Sequence, residues 1–210
     1  MADQEVASPL SEASLERRGL AVGDIVQAGV VIALLAVAAQ VTVAVGPVPF
    51  TLQTIVVVLA ALVFTPAQAA LALAGYVVLG GLGLPIFSAM RGGLAMLAGP
   101  TGGYLYGYIL AVFLGSLVRR LICPPACRAQ SPARSLTADI AAALLVAVVY
   151  YVLGTAHFLL MGVVGGTPYE LGYVLGVCVI PFLIPDALKM AAAILVAMAL
   201  RKAVSSVAAR

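Results

Sequence analysis

The stretch IPFLIPDALKMAAAILVAMALRK, Ile180 to Lys202, sets an acid and a base, Asp186 and Lys189, inside an apolar run long enough to cross a bilayer. Three residues apart, they share one face of a helix. At about 1.5 Å per residue, Lys189 lies roughly 18 Å from Arg201, near the membrane midplane. Insertion into lipid costs about 2.5 to 3.5 kcal/mol for each such group at a helix centre, so both must face a partner or a cavity. Pro181 and Pro185 remove two backbone donors, which predicts a helix that breaks or restarts near Pro185 and places Asp186 in the first turn, where the helix dipole favours an anion. One reading is a structural ion pair between packed helices. The other is a ligand site, and it is preferred, because irregular backbone at this depth is tolerated against protein or a water-filled cavity.

Other polar groups rank behind this pair. Thr51, Gln53 and Thr54 follow GPVPF and either line a cavity mouth or cap a helix. The glycine-rich loop GLPIFSAMRGGLAMLAGPTGGYLYGY allows tight turns and close approach to a ligand, and its isolated Arg91 either binds an anionic group or snorkels to the surface. Tyr150 and Tyr151 sit mid-run, with one of them able to face a cavity. His157 reads as a hydrogen-bonded packing residue rather than a proton carrier, and Glu170 as a solvated loop residue. The two lysines, Lys189 and Lys202, do not follow glycine, so there is no phosphate loop and no ATP hydrolysis by this chain. No HExxH, GxSxG or acidic-histidine cluster supports a metal site or a catalytic set.

The elements that must position these residues are membrane helices. The chain has 210 residues, of which 64% are hydrophobic and 9% charged, and its mean hydropathy is +1.18. That composition excludes a soluble domain. The net charge of +3 therefore carries no implication of nucleic acid. Breaking the apolar runs at Pro, Gly and charge clusters predicts six helices, near 24–45, 52–64, 67–84, 102–121, 137–162 and 173–200. The second is short and is expected to tilt or to begin within GPVPFT. The first 19 residues are polar and mixed in charge, and the run after them reads as a retained helix rather than a signal peptide. The expected organisation is a polar tail over 1–23, a transmembrane domain over 24–202 and a short tail over 203–210.

The basic residues set the orientation. With the N-terminus cytoplasmic, one side collects Arg17, Arg18, Arg119, Arg120, Arg128, Arg134, Arg201, Lys202 and Arg210, and the other side has Arg91. The positive-inside rule then gives an even number of spans with both termini cytoplasmic. Cys123, Cys127 and Cys178 match neither a redox pair nor a zinc knuckle and read as reduced thiols. Small residues recur every four positions at Gly99, Gly103, Gly107, Ala111 and Gly115, a ridge that favours packing within the bundle. A shorter ridge, Gly29, Ala33 and Ala36, suits either the bundle or a partner subunit.

Taken together, GPVPFTLQT at 46–54, GLGLPIF at 81–87, GPTGGYLYGY at 99–108 and PFLIPDALK at 181–189 resemble the BioY family, the biotin-binding S components of energy-coupling factor (ECF) vitamin transporters. The resemblance runs from the first predicted helix to the sixth. It implies an all-α integral membrane protein with six transmembrane helices in the bacterial cytoplasmic membrane and a substrate site toward the outer face. It also implies partners: a transmembrane coupling subunit and a pair of ATPases, with a homo-oligomer also possible, and no cofactor of its own. By position, Asp186 and Lys189 fall on the family's ligand motif, where a carboxylate and an ammonium complement biotin's ureido ring. Phe50, Tyr76 and Tyr151 are candidate walls, and Gln53, Thr51 and the loop around Gly102 are candidates to complete the site. Arg91 departs from a loop that is otherwise glycine and small residues, and is either an extra contact to biotin's carboxylate or irrelevant. Gly29, Ala33 and Ala36 are the candidate face for the coupling subunit. Two alternatives stay open: a self-sufficient biotin carrier, and a small membrane enzyme using Asp186 or His157 as acid or base.

Overall fold

The computed structural model describes residues 22–45, 48–124 and 131–208. Residues 1–21 of the polar tail, with Arg17 and Arg18, lie outside the described residues, as do Cys127, Arg128 and Arg210. The order is α1 (Val22–Gln40), β1 (Thr42–Val45), β2 (Val48–Thr51), α2 (Gln53–Val63), α3 (Pro66–Gly81), α4 (Leu94–Ala98), α5 (Gly102–Ile122), α6 (Pro132–Val164), α7 (Leu171–Cys178) and α8 (Leu183–Ala208). Single 3-10 turns at Ser88–Met90 and Ile180–Phe182 complete it.

Among the described residues, four helical segments are long and apolar enough to span a membrane: α1, α5, α6 and the region Leu171–Val207 that holds α7 and α8. The shorter apolar helices α2 and α3 fill the two remaining predicted positions. At about 1.5 Å per residue, α6, with 33 residues, is close to 50 Å long and exceeds the roughly 30 Å hydrocarbon core.

The bundle is apolar outside as well as inside. Val30, Leu34 and Val37 on α1 and Leu188 and Leu195 on α8 are exposed, as expected where lipid is the surrounding solvent. Only 17% of the α1 span is buried, against 39% for α5 and for α6, so α1 lies at the periphery and α5 and α6 form the centre. The glycine ridge explains that centre. A Cβ on Gly103 would strike the His157 side chain, one on Gly107 would lie 3.2 Å from Leu153 Cβ, and one on Gly115 would lie 2.5 Å from Val146 Cγ2. Three of the five small residues therefore let α5 and α6 approach backbone to backbone. Gly99 lies outside the ridge proper, just before α5, where its carbonyl accepts from His157 Nε2 at 3.0 Å.

Local chemistry sets the ends. Thr65 caps α3 through a reciprocal pair, Gln68 N to Thr65 Oγ1 at 3.2 Å and Thr65 N to Gln68 Oε1 at 3.1 Å, with Pro66 in the first turn. Gln68 Nε2 also donates to Asp24 Oδ1 at 2.5 Å, joining the starts of α1 and α3.

One expectation is corrected here. The first helix stops at Gln40 rather than Val45, while the second, Gln53–Val63, falls on the span expected near 52–64 and does not extend into GPVPFT. Between them the chain forms an antiparallel hairpin, Thr42 opposite Thr51 and Val43 opposite Phe50. The alternating, β-branched run TVAV favours strand over helix, and strand pairing satisfies the backbone that proline denies to a helix. The predicted break near Pro185 is present. The chain leaves α7 at Cys178, turns through Ile180–Phe182 and restarts at Leu183, with Asp186 in the first turn of α8.

Candidate functional site

A cavity of about 680 Å³, counting the space at its open mouth, lies at the end of the bundle where α5 and α8 begin. Its lining includes Thr51, Gln53, Arg91, Tyr151, Asp186 and Lys189 from the sequence-based set. The structure thus brings together residues spread over more than 130 positions of the chain.

Asp186 and Lys189 are 4% and 6% exposed and form an ion pair, with Nζ 2.7 Å from Oδ1. Asp186 is saturated by the protein, and Lys189 has two hydrogen bonds and a ring contact. Asp186 Oδ1 accepts from Lys189 and from Thr54 Oγ1 at 3.3 Å, while Oδ2 accepts from the hydroxyls of Tyr150 at 2.5 Å and Tyr151 at 2.6 Å. Four donors fill the four lone-pair positions of a carboxylate. Lys189 donates to Asp186 and, at 2.7 Å, to the backbone carbonyl of Thr51, and its Nζ lies 3.7 Å from the centre of the Phe50 ring. Hydrogen bonding on this scale makes a buried pair tolerable, and the hairpin supplies one of these bonds, through Thr51 O, together with the Phe50 ring face.

Phe50 therefore stands over Lys189, stacked on Phe182 with ring centroids 6.1 Å apart. Gln53 belongs to a second chain of bonds: it accepts from Thr51 Oγ1 at 3.1 Å and donates to the Tyr76 hydroxyl at 2.7 Å, which donates to Ile86 O at 2.8 Å. Tyr76 is a buried core residue that supports Gln53 from behind. Gly102 does not line the cavity, whereas its neighbour Thr101 does. A Cβ on Gly102 would collide with the Leu97 carbonyl, so glycine there serves the close approach of α4 to the start of α5.

The turn from Phe87 to Arg91 forms one rim. Phe87 N donates to Arg91 O at 2.9 Å, and Ala89 and Met90 between them both adopt the left-handed region, with φ of 59° and 56°. Each such residue costs about 1–2 kcal/mol without a glycine. Three contacts hold the turn: Gln40 Nε2 to Phe87 O at 3.2 Å, Met90 N to Gln40 Oε1 at 2.9 Å, and Thr42 Oγ1 with Ser88 Oγ at 3.0 Å. The end of α1 thus fixes the segment that carries Arg91, whose Nε donates to Ser88 O at 3.2 Å.

Sequence reasoning missed several groups. Tyr104, Tyr108, Met96, Cys178 and Phe182 also line the cavity, and where one of Tyr150 and Tyr151 was expected to face it, both bond Asp186. It missed a whole second polar cluster at the opposite end of the bundle. Arg119, counted only among the basic residues of the cytoplasmic side, is 1% exposed inside α5 and pairs through Nε with Asp139 Oδ1 of α6 at 2.6 Å, while Arg201 of α8 pairs with the same carboxylate. His157 is placed as a packing residue: its Nδ1 meets the Tyr106 hydroxyl at 2.5 Å and its Nε2 meets Gly99 O. Gly29 and Ala33 are exposed on the outer face of α1, with no atom within 4 Å of a Cβ at Gly29, and Ala36 is half buried against the core. Among the described residues no group of His, Cys, Asp and Glu is arranged to hold a metal ion.

A helical membrane bundle with an aromatic-walled cavity built over a buried acid–base pair defines a membrane-embedded binding protein for a small ligand. The chain belongs to the BioY family, whose sequence model matches residues 10–206. It is 36% identical over 178 residues to the biotin transporter BioY of Thermotoga maritima, an alignment that covers 85% of this chain and 95% of the relative. A probable biotin transporter BioY of Pyrococcus horikoshii is 36% identical over 166 residues, covering 79% and 88% respectively. Among solved structures, the S-component for biotin from an ECF-type ABC transporter aligns with a TM-score of 0.72 over 86% of this chain and 92% of that one. At 19% identity this last similarity concerns the fold.

Proposed function

We propose that this protein is the biotin-capturing membrane subunit of an ECF-type uptake system. It takes biotin from outside and releases it inside once joined to a transmembrane coupling subunit and a pair of ATPases. The observation that carries this reading is the Asp186–Lys189 pair, buried, hydrogen-bonded and on the wall of an aromatic-lined cavity. Family membership supplies the ligand's name, and the chemistry agrees with it. Biotin's ureido ring has two N–H donors and one strongly polarised carbonyl, while its thiophane ring and aliphatic chain suit walls such as Tyr104, Tyr108 and Phe182.

Because the Asp186 carboxylate already accepts from four donors, biotin binds by exchange. An ureido N–H takes the place of the half-buried Tyr151 hydroxyl on Asp186, and the ureido oxygen takes the ammonium face now turned to Phe50. Swapping one good bond for another is nearly neutral in enthalpy, so net affinity comes from apolar burial and from further polar contacts along the cavity wall. The exposed Gly29 and Ala33 on peripheral α1 are the face offered to the coupling subunit. The end with Arg119, Arg120, Arg134 and Arg201 faces the cytoplasm, which turns the cavity outward.

Calorimetric titration of biotin into the purified protein in detergent, with thiamin and riboflavin as controls, tests the ligand. Tight one-to-one binding of biotin alone is the expected result, and absence of binding by a folded sample would overturn it. Uptake by cells with and without a coupling module tests the partner. Equal uptake in both would replace the capture subunit with a self-sufficient carrier.

A further inference from the structure

We propose that the cytoplasmic end of the bundle carries a seat for the phosphate of an anionic phospholipid, held by Arg119, Arg120 and Arg201 where α5, α6 and α8 meet. This site lies away from the cavity and does not depend on what the cavity binds. Arg119 of α5 and Arg201 of α8 share the single carboxylate of Asp139, so the buried cluster keeps one positive charge in excess. Arg120 adds another, with no ion pair among the described residues. Arg134 and Lys202 stand at the same end, and Asp24, the other acid described there, is tied to Gln68 on α3.

The unmade hydrogen bonds point the same way. Arg119 Nη2 and Arg120 Nε are buried and have no hydrogen-bond partner. A buried donor left in that state costs about 1–3 kcal/mol, and more when it is charged. Orphaned guanidinium nitrogens around a net positive charge define a site whose missing member is an oxyanion, and the planar fork of arginine matches the oxygens of a phosphate. Arg120 is half-buried and the Arg201 side chain is partly exposed, so the cluster opens to the surface through these two.

The surroundings select the source of the phosphate. Leu117 and Met198 each lie three residues before an arginine of the seat, on the same helix face and about one turn toward the midplane, and both are exposed. Ile140 and Leu144 continue this apolar surface on α6. A lipid whose headgroup meets the arginines therefore lays its acyl chains against apolar side chains, a contact that free phosphate or an acidic peptide would leave unmade. The end is cytoplasmic by its basic residues, and that leaflet carries anionic lipid.

Native mass spectrometry and thermal melting of the full chain in neutral detergent, with added phosphatidylglycerol, phosphatidylcholine or inorganic phosphate, test the seat in the wild type and in Arg120→Gln and Arg120→Lys. Wild type is expected to retain one phosphatidylglycerol, to prefer it over phosphatidylcholine by roughly tenfold or more, and to melt higher in its presence. Arg120→Gln is expected to lower that preference about fivefold, the scale of one basic side chain near an anionic headgroup, and Arg120→Lys to retain part of it. Melting of Arg120→Gln in phosphatidylcholine should be unchanged or raised, because the buried Nε that it removes has no partner to lose. A wild type that binds both lipids equally, or an Arg120→Gln protein that keeps the full preference, overturns the seat. Equal destabilisation of Arg120→Gln in both lipids overturns it in favour of packing, and a rise in melting with inorganic phosphate as large as that with phosphatidylglycerol overturns the lipid in favour of a free anion. Indifference to headgroup charge together with loss of the coupling subunit from Arg120→Gln would overturn it in favour of an acidic protein partner.

Discussion

The hydroxyl of Tyr151 lies 2.6 Å from Oδ2 of Asp186, on the same oxygen that receives Tyr150 at 2.5 Å. Two phenols therefore crowd one carboxylate oxygen, and Tyr151 is the more accessible of the two. A phenol bonded to a carboxylate emits weakly, because its excited state gives up its proton. The chain contains eight tyrosines and no tryptophan, so tyrosine emission is directly readable. Biotin binding is expected to raise that emission as Tyr151 is displaced. Tyr151→Phe should lose most of the change while keeping affinity within about threefold, since the lost bond is one the ligand must replace. An unchanged emission response in Tyr151→Phe would mean that the ligand does not exchange with this hydroxyl.

Removing either member of the ion pair leaves its partner buried without a counter-charge, at a cost of about 3–5 kcal/mol. Asp186→Asn and Lys189→Met are each expected to lower the melting temperature and to weaken biotin binding at least tenfold. The double variant Asp186→Asn with Lys189→Met removes both charges and should recover most of the stability without recovering the binding. Melting curves and titrations of the three proteins separate the roles. Recovery of affinity together with stability would reduce the pair to a packing device.

The same residue type has opposite consequences on two helices. At Gly103 any side chain meets His157 across the α5–α6 contact, whereas at Gly29 a Cβ meets nothing within 4 Å. Gly103→Leu should therefore destabilise the bundle by about 1–3 kcal/mol or more and reduce biotin binding through the displaced helices. Gly29→Leu should leave melting and biotin affinity unchanged and abolish co-purification with the coupling subunit. Retained co-purification would move the docking face away from Gly29 and Ala33.

How far these features were legible in the sequence depended on the scale of their cause. Apolar runs, prolines and the ridge from Gly103 to Gly115 act locally or on neighbouring helices, so the spans and the break before Asp186 could be read directly. An acid and a base three residues apart in lipid demanded partners, and that demand identified the site's centre. The partners themselves come from elsewhere in the chain: Thr51 is supplied by a hairpin that the hydropathy of TVAV disguised as the end of a helix, and Tyr150 by a helix 36 residues away. Gly102 was assigned to the site by proximity to the GPTGG motif, yet its glycine answers to the Leu97 backbone. Asp139 was the missed signal. An isolated acid in the run TADIAAALL poses the same question as Asp186, and Arg119 and Arg201 answer it.

Asp139 is fully buried and binds two arginines from two other helices, Arg119 Nε at 2.6 Å and the Arg201 guanidinium through both oxygens. Along α5, Arg119 lies 15 residues from the cavity residue Tyr104, about 22 Å at 1.5 Å per residue, so this cluster closes the end of the bundle opposite the ligand. Its effect on binding should accordingly be indirect. Asp139→Asn removes the one negative charge between two cations and is expected to destabilise the protein by about 3–5 kcal/mol. The biotin affinity of the fraction that stays folded should remain within about twofold, because the Asp186 network shares no residue with the cluster. Titration below the melting transition checks this, and a tenfold loss of affinity there would show that the two ends of α5 and α8 are coupled, with the ionic cluster setting the cavity's shape from across the membrane.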